Sequence, residues 1–188
     1  DVYKRQIIRK VHRSLRLNSV SYRRTPMNDI TYKITTEGIH WQEVADVLRR
    51  SGLSDRSAKD QETIFKNSYA VVFVYDEERI VGVGRALSDG VCQAAIYNIA
   101  LDEEYQGYGI GRKLIELLLD QVKGQNVILY THPRTVALYE KMGFRRNKTA
   151  MSIFRGSEDS LNWMKKEGFL LPEKYRFVDE YGRDDMKQ

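Results

Sequence analysis

The residues that first suggest chemistry are glycines. In "NIALDEEYQGYGIGRKLIELLLDQVKG", Gly107, Gly109 and Gly111 alternate between a strand-like apolar run and a helix-like one. Glycine admits positive φ and lets a ligand approach the backbone closely. A helix beginning at such a corner turns several free N–H groups, and the positive end of its dipole, toward one point. An anion suits that point, and a diphosphate is its usual occupant. Arg112, in the first turn, offers a charge-assisted contact. Two familiar phosphate cradles do not fit. The pattern G-x-x-x-x-G-K-[ST] has no match. In G-x-G-x-x-G the third glycine would fall one residue later, and no acidic residue closes a second strand about 20 residues on. Gly-rich corners also exist merely to turn tightly, so the glycines alone leave both readings open. The pair in "VGVG" (81–84) has no helix behind it and reads as packing.

Few other residues combine suitable type and spacing. Cys92 is the single cysteine, has no clear His–acid pairing nearby in sequence, and reads as a buried strand residue. His12, His40 and His132 are too dispersed to suggest a metal site. Tyr97 and Asn98 lie on a strand run, and Glu103 and Glu104 just past it read as solvated turn acids.

The elements that position these residues follow from pattern. "DITYKITTE" alternates as a strand, and "IHWQEVADVLRRSG" is an amphipathic helix stopped by Gly52. "SDRSAKDQETIFKN" reads as a second helix, capped by Ser57 or Asp55. "SYAVVFVYDEERIVGVGRALSDG" is a hairpin turning at "DEE", and "VCQAAIYNIALD" a fourth strand apolar enough for burial on both faces. After the glycines comes a helix with Ile110, Leu114, Leu117, Leu118 and Val122 on one stripe and Gly124 as its stop. "NVILYTH" reads as a buried strand, "PRTVALYEKMGF" as a helix ending at Gly143, and "RRNKTAMSIF" as a further strand. "GSEDSLNWMKKEG" is a helix capped by Ser157. Strand–helix alternation in the second half predicts an α/β domain with a mixed sheet.

Length and charge narrow the class. The 188 residues suffice for one domain with a proper core. No apolar run approaches the roughly 20 residues of a membrane-spanning helix, so no membrane partner is expected. One cysteine fits a reducing compartment, and the expectation is a bacterial, cytoplasmic protein. The net charge of +5 is unevenly placed: residues 1–26 hold eight of the 31 Lys/Arg and one of the 26 acids, leaving the remainder at −2. That tail has three readings: a nucleic-acid arm, a transit-type presequence, or text outside the natural protein. The third is adopted, because "DVYKRQ" resembles translated sequencing-adaptor text and Met27 is a credible start. The tail, non-native or disordered, is set aside, and no nucleic-acid partner is expected. The domain is assigned to 27–155, with 156–188 as a helical extension packed on it.

Two motifs in order carry a family resemblance. Gln106-x-x-Gly109-x-Gly111 behind "YNIALDEEY", then "LYEKMGF" about thirty residues later, resembles the GNAT superfamily of acyl-CoA-dependent N-acyltransferases over roughly residues 30–155. "RALSDGVCQAAIYNIAL" looks nearest to small-amine members, including serotonin-type acetyltransferases. The resemblance implies a central, mostly antiparallel twisted sheet in which parallel strands 4 and 5 splay apart. It implies acetyl-CoA as cosubstrate, without metal, its pyrophosphate held by the backbone of Gln106, Gly107, Tyr108, Gly109, Ile110 and Gly111, with Arg112 as a further cofactor contact. The pantetheine arm would pair with Ile99, Ala100 and Leu101, and the Ile99 N–H would polarise the thioester carbonyl. Tyr139 matches the tyrosine that meets the departing thiolate. His132 stands where the family often has an asparagine contacting the cofactor arm.

The implied reaction is direct attack by a primary amine of a small molecule on the thioester within a ternary complex. A protein lysine or N-terminal acetyltransferase and a non-catalytic acyl-CoA-binding regulatory module are the alternatives. An alkylamine is mostly protonated at neutral pH, so a base is needed: Tyr97, Asn98, Glu103, Glu104, His132 or a water chain. Trp41, Phe65, Tyr69, Met151 and Phe154 either line an acceptor cleft or are ordinary core. The extension, with Trp163 and Phe169, reads as a cover for the site or a homodimer contact.

Overall fold

The computed structural model describes residues 29–147, 150–153 and 157–170. The tail 1–26, Met27, Phe154 and the chain beyond 170 lie outside the described residues. The chain divides into two compact units between Tyr130 and Thr131.

The first unit holds β1 (Ile30–Lys33), α1 (Trp41–Arg50), α2 (Ala58–Lys66), β2 (Ala70–Asp76), β3 (Arg79–Ser88), β4 (Gln93–Leu101), α3 (Ile110–Gln121) and β5 (Asn126–Leu129). The sheet runs β1-β2-β3-β4-β5 in sequence order. The first four strands pair antiparallel, and β4 and β5 pair parallel. The β2–β3 hairpin turns on Glu77, at φ 55. Ser57 caps α2 through a reciprocal capping box with Asp60.

Each face of the sheet has its own cover. Val44, Val47 and Leu48 of α1 and Phe65 of α2 join Phe73, Ile80, Val83 and Ala100 in one buried cluster. Trp41 packs on Phe65 and Phe73, its ring centroid 6.0 Å from that of Phe73, so it belongs to this core. The opposite face takes α3 through Ile110, Leu114, Ile115 and Leu118. Gly84 makes this packing close: a Cβ there would lie 2.6 Å from Leu114 Cδ2 and 2.8 Å from Ile99 Cδ1. The "VGVG" glycine is therefore a packing residue, as its sequence context suggests.

Several expectations are corrected. β4 is not buried on both faces: Ala94, Ile96 and Ala100 are buried, whereas Tyr97 is exposed. β5 is not a buried strand: Asn126 and Ile128 are exposed, Ile128 to 58%, and Val127 and Leu129 are only partly buried. Cys92 is exposed, in the turn before β4 rather than inside the strand. Its thiol meets Asp89 Oδ2 at 3.2 Å, and that hydrogen bond holds its pKa above the ordinary value, leaving a poor nucleophile. The described part of "RRNKTAMSIF" forms no strand, and Met151 and Ile153 stand exposed.

The second unit contains a 3-10 turn (Pro133–Thr135), α4 (Val136–Glu140) and α5 (Glu158–Lys166). Pro133 opens the turn where its missing N–H has no helical partner to lose. Ser157 caps α5 by accepting from the Ser160 N–H. Tyr139 is buried within this unit and packs edge-on against Phe144.

Candidate active site

The glycine corner joins β4 to α3 through a short 3-10 turn (Glu103–Tyr105). Gly107 and Gly109 sit at φ 88 and 83, left-handed values that a side chain resists. A Cβ added at either would meet nothing within 4 Å, so their outer side is open. Gly111 lies inside α3 without positive φ, and a Cβ there would make ordinary contact with Leu101. Two of the three glycines are thus demanded by conformation. No side chain caps α3 and its first turn carries no acid. The first-turn N–H groups therefore point outward without an intrahelical acceptor. Gln106 braces the corner through Nε2, which donates to Leu101 O at 2.9 Å. Arg112 is already paired, its Nε 2.9 Å from Glu116 Oε1. Tyr108 is partly exposed on the same corner. An extended anion of diphosphate size would find N–H donors, open space and no opposing carboxylate in the first turn.

Beside the corner, the sheet opens. Pairing of β4 with β5 ends at Ile96 and Leu129. From Tyr97 to Leu101, β4 is paired only with β3. The two strands also carry a bulge: Val83 pairs Ala100 and Arg85 pairs Tyr97, so Asn98 and Ile99 together oppose Gly84. Asn98 makes the extra residue possible by adopting φ 55, a conformation asparagine tolerates well. The Asp102 N–H donates to Val81 O at 2.8 Å, which fixes the alternation along β4. Counting back, the backbone groups of Ala100 face β3, and those of Ile99 and Leu101 face the side that β5 has left. Of the three expected residues, the geometry thus offers Ile99 and Leu101 and turns Ala100 inward. Leu101 O accepts from Gln106, so the donors directed into the opening are the N–H groups of Ile99 and Leu101.

The candidate bases differ in their surroundings. Glu104 pairs with Arg79 at 2.7 Å. Glu103 is exposed in the turn. Asn98 Oδ1 accepts from Arg85 Nε at 2.6 Å, so that amide holds the bulge. In the second unit, His132 Nδ1 accepts from the Arg134 N–H at 3.1 Å, and its Nε2 faces Glu167 Oε2 at 3.5 Å. Both ring nitrogens of His132 are therefore engaged by partners within the second unit. Its ring packs on Trp163 and Phe169, which gives the extension's aromatics a local partner. Burial pushes the Tyr139 phenol above its ordinary value of 10, with a hydrogen bond to Thr131 pulling the other way. It therefore keeps its proton.

Sequence reasoning missed Arg85. Its guanidinium is half-buried, donates to Asn98 and to Ser68 Oγ at 3.3 Å, and lies 5.1 Å from the Tyr97 ring centroid. Burial holds its pKa below the ordinary value. The available signal was a lone arginine at an inward position of the apolar strand "IVGVGRAL". Also missed was buried Asp102, held by Arg50 through contacts of 2.9 and 2.8 Å, which tie α1 to the end of β4.

A mixed sheet with one parallel pair, opening beside a glycine-built helix start, defines the class of this α/β protein. Residues 41–144 match the acetyltransferase (GNAT) family, and the chain belongs to it. It is 33% identical over 115 residues to GCN5-related N-acetyltransferase 1, chloroplastic, of Arabidopsis thaliana, covering 58% of each chain. It is 27% identical over 139 residues to serotonin N-acetyltransferase 2, chloroplastic, of Oryza sativa subsp. japonica, covering 68% of this chain and 69% of that one. The fold is shared with a GNAT family acetyltransferase of Streptococcus pneumoniae at TM-score 0.58 and 24% identity, covering 68% of this chain and all of the other. The chain spans 58% and 61% of the length of the first two curated relatives it matches.

Proposed function

We propose that this chain is an N-acetyltransferase that moves the acetyl group of acetyl-CoA to a primary amine of a small molecule. The observation that carries the reading is the release of β4 from β5 beside the Gly107–Gly109 corner, both within one unit. The family's usual acyl donor is acetyl-CoA, which when bound supplies an activated acetyl thioester. The corner N–H groups would hold its pyrophosphate, with Gln106 bracing the loop and Tyr108, Ile110, Gly111 and Arg112 flanking it. The Ile99 N–H would donate to the thioester oxygen as negative charge develops there, a contribution of about 2.7–4 kcal/mol in comparable sites. Leu101 would pair with the pantetheine arm, and His132 is retained as a proposed cofactor contact. Tyr139 would give its proton to the departing sulfur, while the amine's excess proton leaves through water. A cytoplasmic location is part of the proposal and rests on the single, exposed cysteine.

The test follows CoA thiol release with acetyl-CoA and a panel of aryl-, arylalkyl-, polyamine and peptide amines. Tyr139→Phe should lower kcat by roughly 10²–10⁴-fold while acetyl-CoA still binds. Because the Tyr139 pKa is raised, its deprotonation sets no alkaline fall in kcat below about pH 10. Activity should instead climb with pH as the amine loses its proton. Unchanged turnover in Tyr139→Phe would sink the acid role. Turnover confined to peptide amines would favour the protein-acetyltransferase reading. Binding without turnover across the panel would favour a regulatory module.

A further inference from the structure

On β3, Arg85 is a half-buried cation with no carboxylate partner among the described residues. It faces Tyr97 directly across β3 and β4. Its partners are the Asn98 amide, the Ser68 hydroxyl and the Tyr97 ring. A guanidinium has five N–H donors. Nε and one Nη1 hydrogen are engaged, which leaves donors on both terminal nitrogens. Burying a cation this far without an anion is costly unless a ligand supplies one.

The neighbours give the missing ligand its shape. By strand register, Leu87, Ala95 and Ile128 share the face of Arg85 and Tyr97. Leu87, Tyr97 and Ile128 are 41%, 42% and 58% exposed, forming an apolar shelf around the guanidinium. Arg85 is also tied to the bulge through Asn98, the residue before Ile99. A group held on Arg85 would therefore sit close to the backbone donor proposed to face the thioester.

We propose that Arg85 binds a carboxylate of the acceptor, whose apolar or aromatic body rests on the shelf formed by Leu87, Tyr97 and Ile128. This assignment rests on the acetyltransferase reading and narrows its substrate to an amine that carries its own carboxylate. The planar guanidinium fork suits a carboxylate in particular. Short spacing between Arg85 and the bulge favours an α-amino acid, in which amine and carboxylate share one carbon. The carboxylate would also complete the partner set of a half-buried cation, so recognition and charge compensation coincide.

The test compares matched pairs, tryptophan with tryptamine and tyrosine with tyramine, using the full chain and acetyl-CoA. The carboxylate-bearing member should be preferred in kcat/KM by about tenfold or more, the scale of one charge-assisted contact. Arg85→Gln should collapse that ratio toward one, with the loss read in KM of the carboxylate-bearing member. Arg85→Lys should restore part of it. Equal turnover of both members by the wild type, or an equal loss for both in Arg85→Gln, overturns the assignment. If neither pair turns over, calorimetry with tryptophan decides. Binding weakened about tenfold or more by Arg85→Gln supports the site, and no tryptophan binding overturns it. Failure of the wild type to bind acetyl-CoA counts against the transferase reading and leaves the tryptophan result to judge Arg85.

Discussion

The two halves of β4 show what the sheet is for. Ala94–Ile96 has a strand on each side, β3 and β5, and Gln93 pairs with β5. Tyr97–Leu101 keeps β3 but has lost β5, and it contains the bulge at Asn98 and Ile99. Backbone N–H and C=O groups are strong partners that must be satisfied somewhere. In the first half the ladder satisfies them on both sides. In the second, the groups of Ile99 face the side that β5 has left. The same chain direction and similar apolar residues thus make a closed ladder in one half and an open edge in the other, and only pairing separates them.

The sharpest way to break that contrast is to remove the bulge. Asn98 holds φ 55, and a β-branched residue there incurs backbone strain of about 1–3 kcal/mol. Asn98→Val should therefore lower stability by that amount, or straighten the strand and turn Ile99 back toward β3. Either way acetyl-CoA binding should weaken by about tenfold or more. Asn98→Gly tolerates the same φ and loses only the contact to Arg85, so it should keep most acetyl-CoA affinity. Titration of both variants with acetyl-CoA, beside their urea midpoints, checks the pair. Equal affinity in both would mean that the bulge does not set the opening.

Gly84, opposite the bulge, sharpens the comparison from the other strand. Its missing side chain lets Leu114, Ile99 and Leu118 converge, each within 3.0 Å of a Cβ position. Gly84→Ala should overpack this junction at a cost of about 1–3 kcal/mol. Because the displaced groups include the Ile99 side chain, the acetyl-CoA Kd should rise with the loss of stability. A stability loss with unchanged Kd would separate packing from the opening.

The sequence made the corner legible and left the opening hidden, for physical reasons. The glycine run, the apolar stripe of α3 and the Ser57 and Ser157 caps are local features with local causes, so residue type and spacing announce them. The departure of β5 after Leu129 is set by long-range pairing, which no single run of residues encodes. "NVILYTH" looks buried because its residues are apolar, yet Asn126 and Ile128 of β5 stand exposed. Cys92 likewise reads as strand until Asp89 is seen gathering the N–H groups of Val91, Cys92 and Gln93 into a turn. The family motifs supplied the splay that the pattern could not. Arg85 was legible in principle, as a charge inside an apolar strand, but its partners come from α2's end and from β4.

The smallest effect is expected in the paired half, and it is the control for all the others. Gln93 opens β4, is exposed, and pairs with Asn126 on one side. Its N–H is taken by the Asp89 carboxylate at 3.1 Å, which a side-chain change leaves in place. Gln93→Thr substitutes a residue suited to strands at a solvated position, so stability should move by no more than about 0.5 kcal/mol. Acetyl-CoA affinity and turnover should stay at wild-type values. If Gln93→Thr instead weakened binding as Asn98→Val does, β4 would act as one unit, and the opening between Tyr97 and Leu101 would lose its special standing.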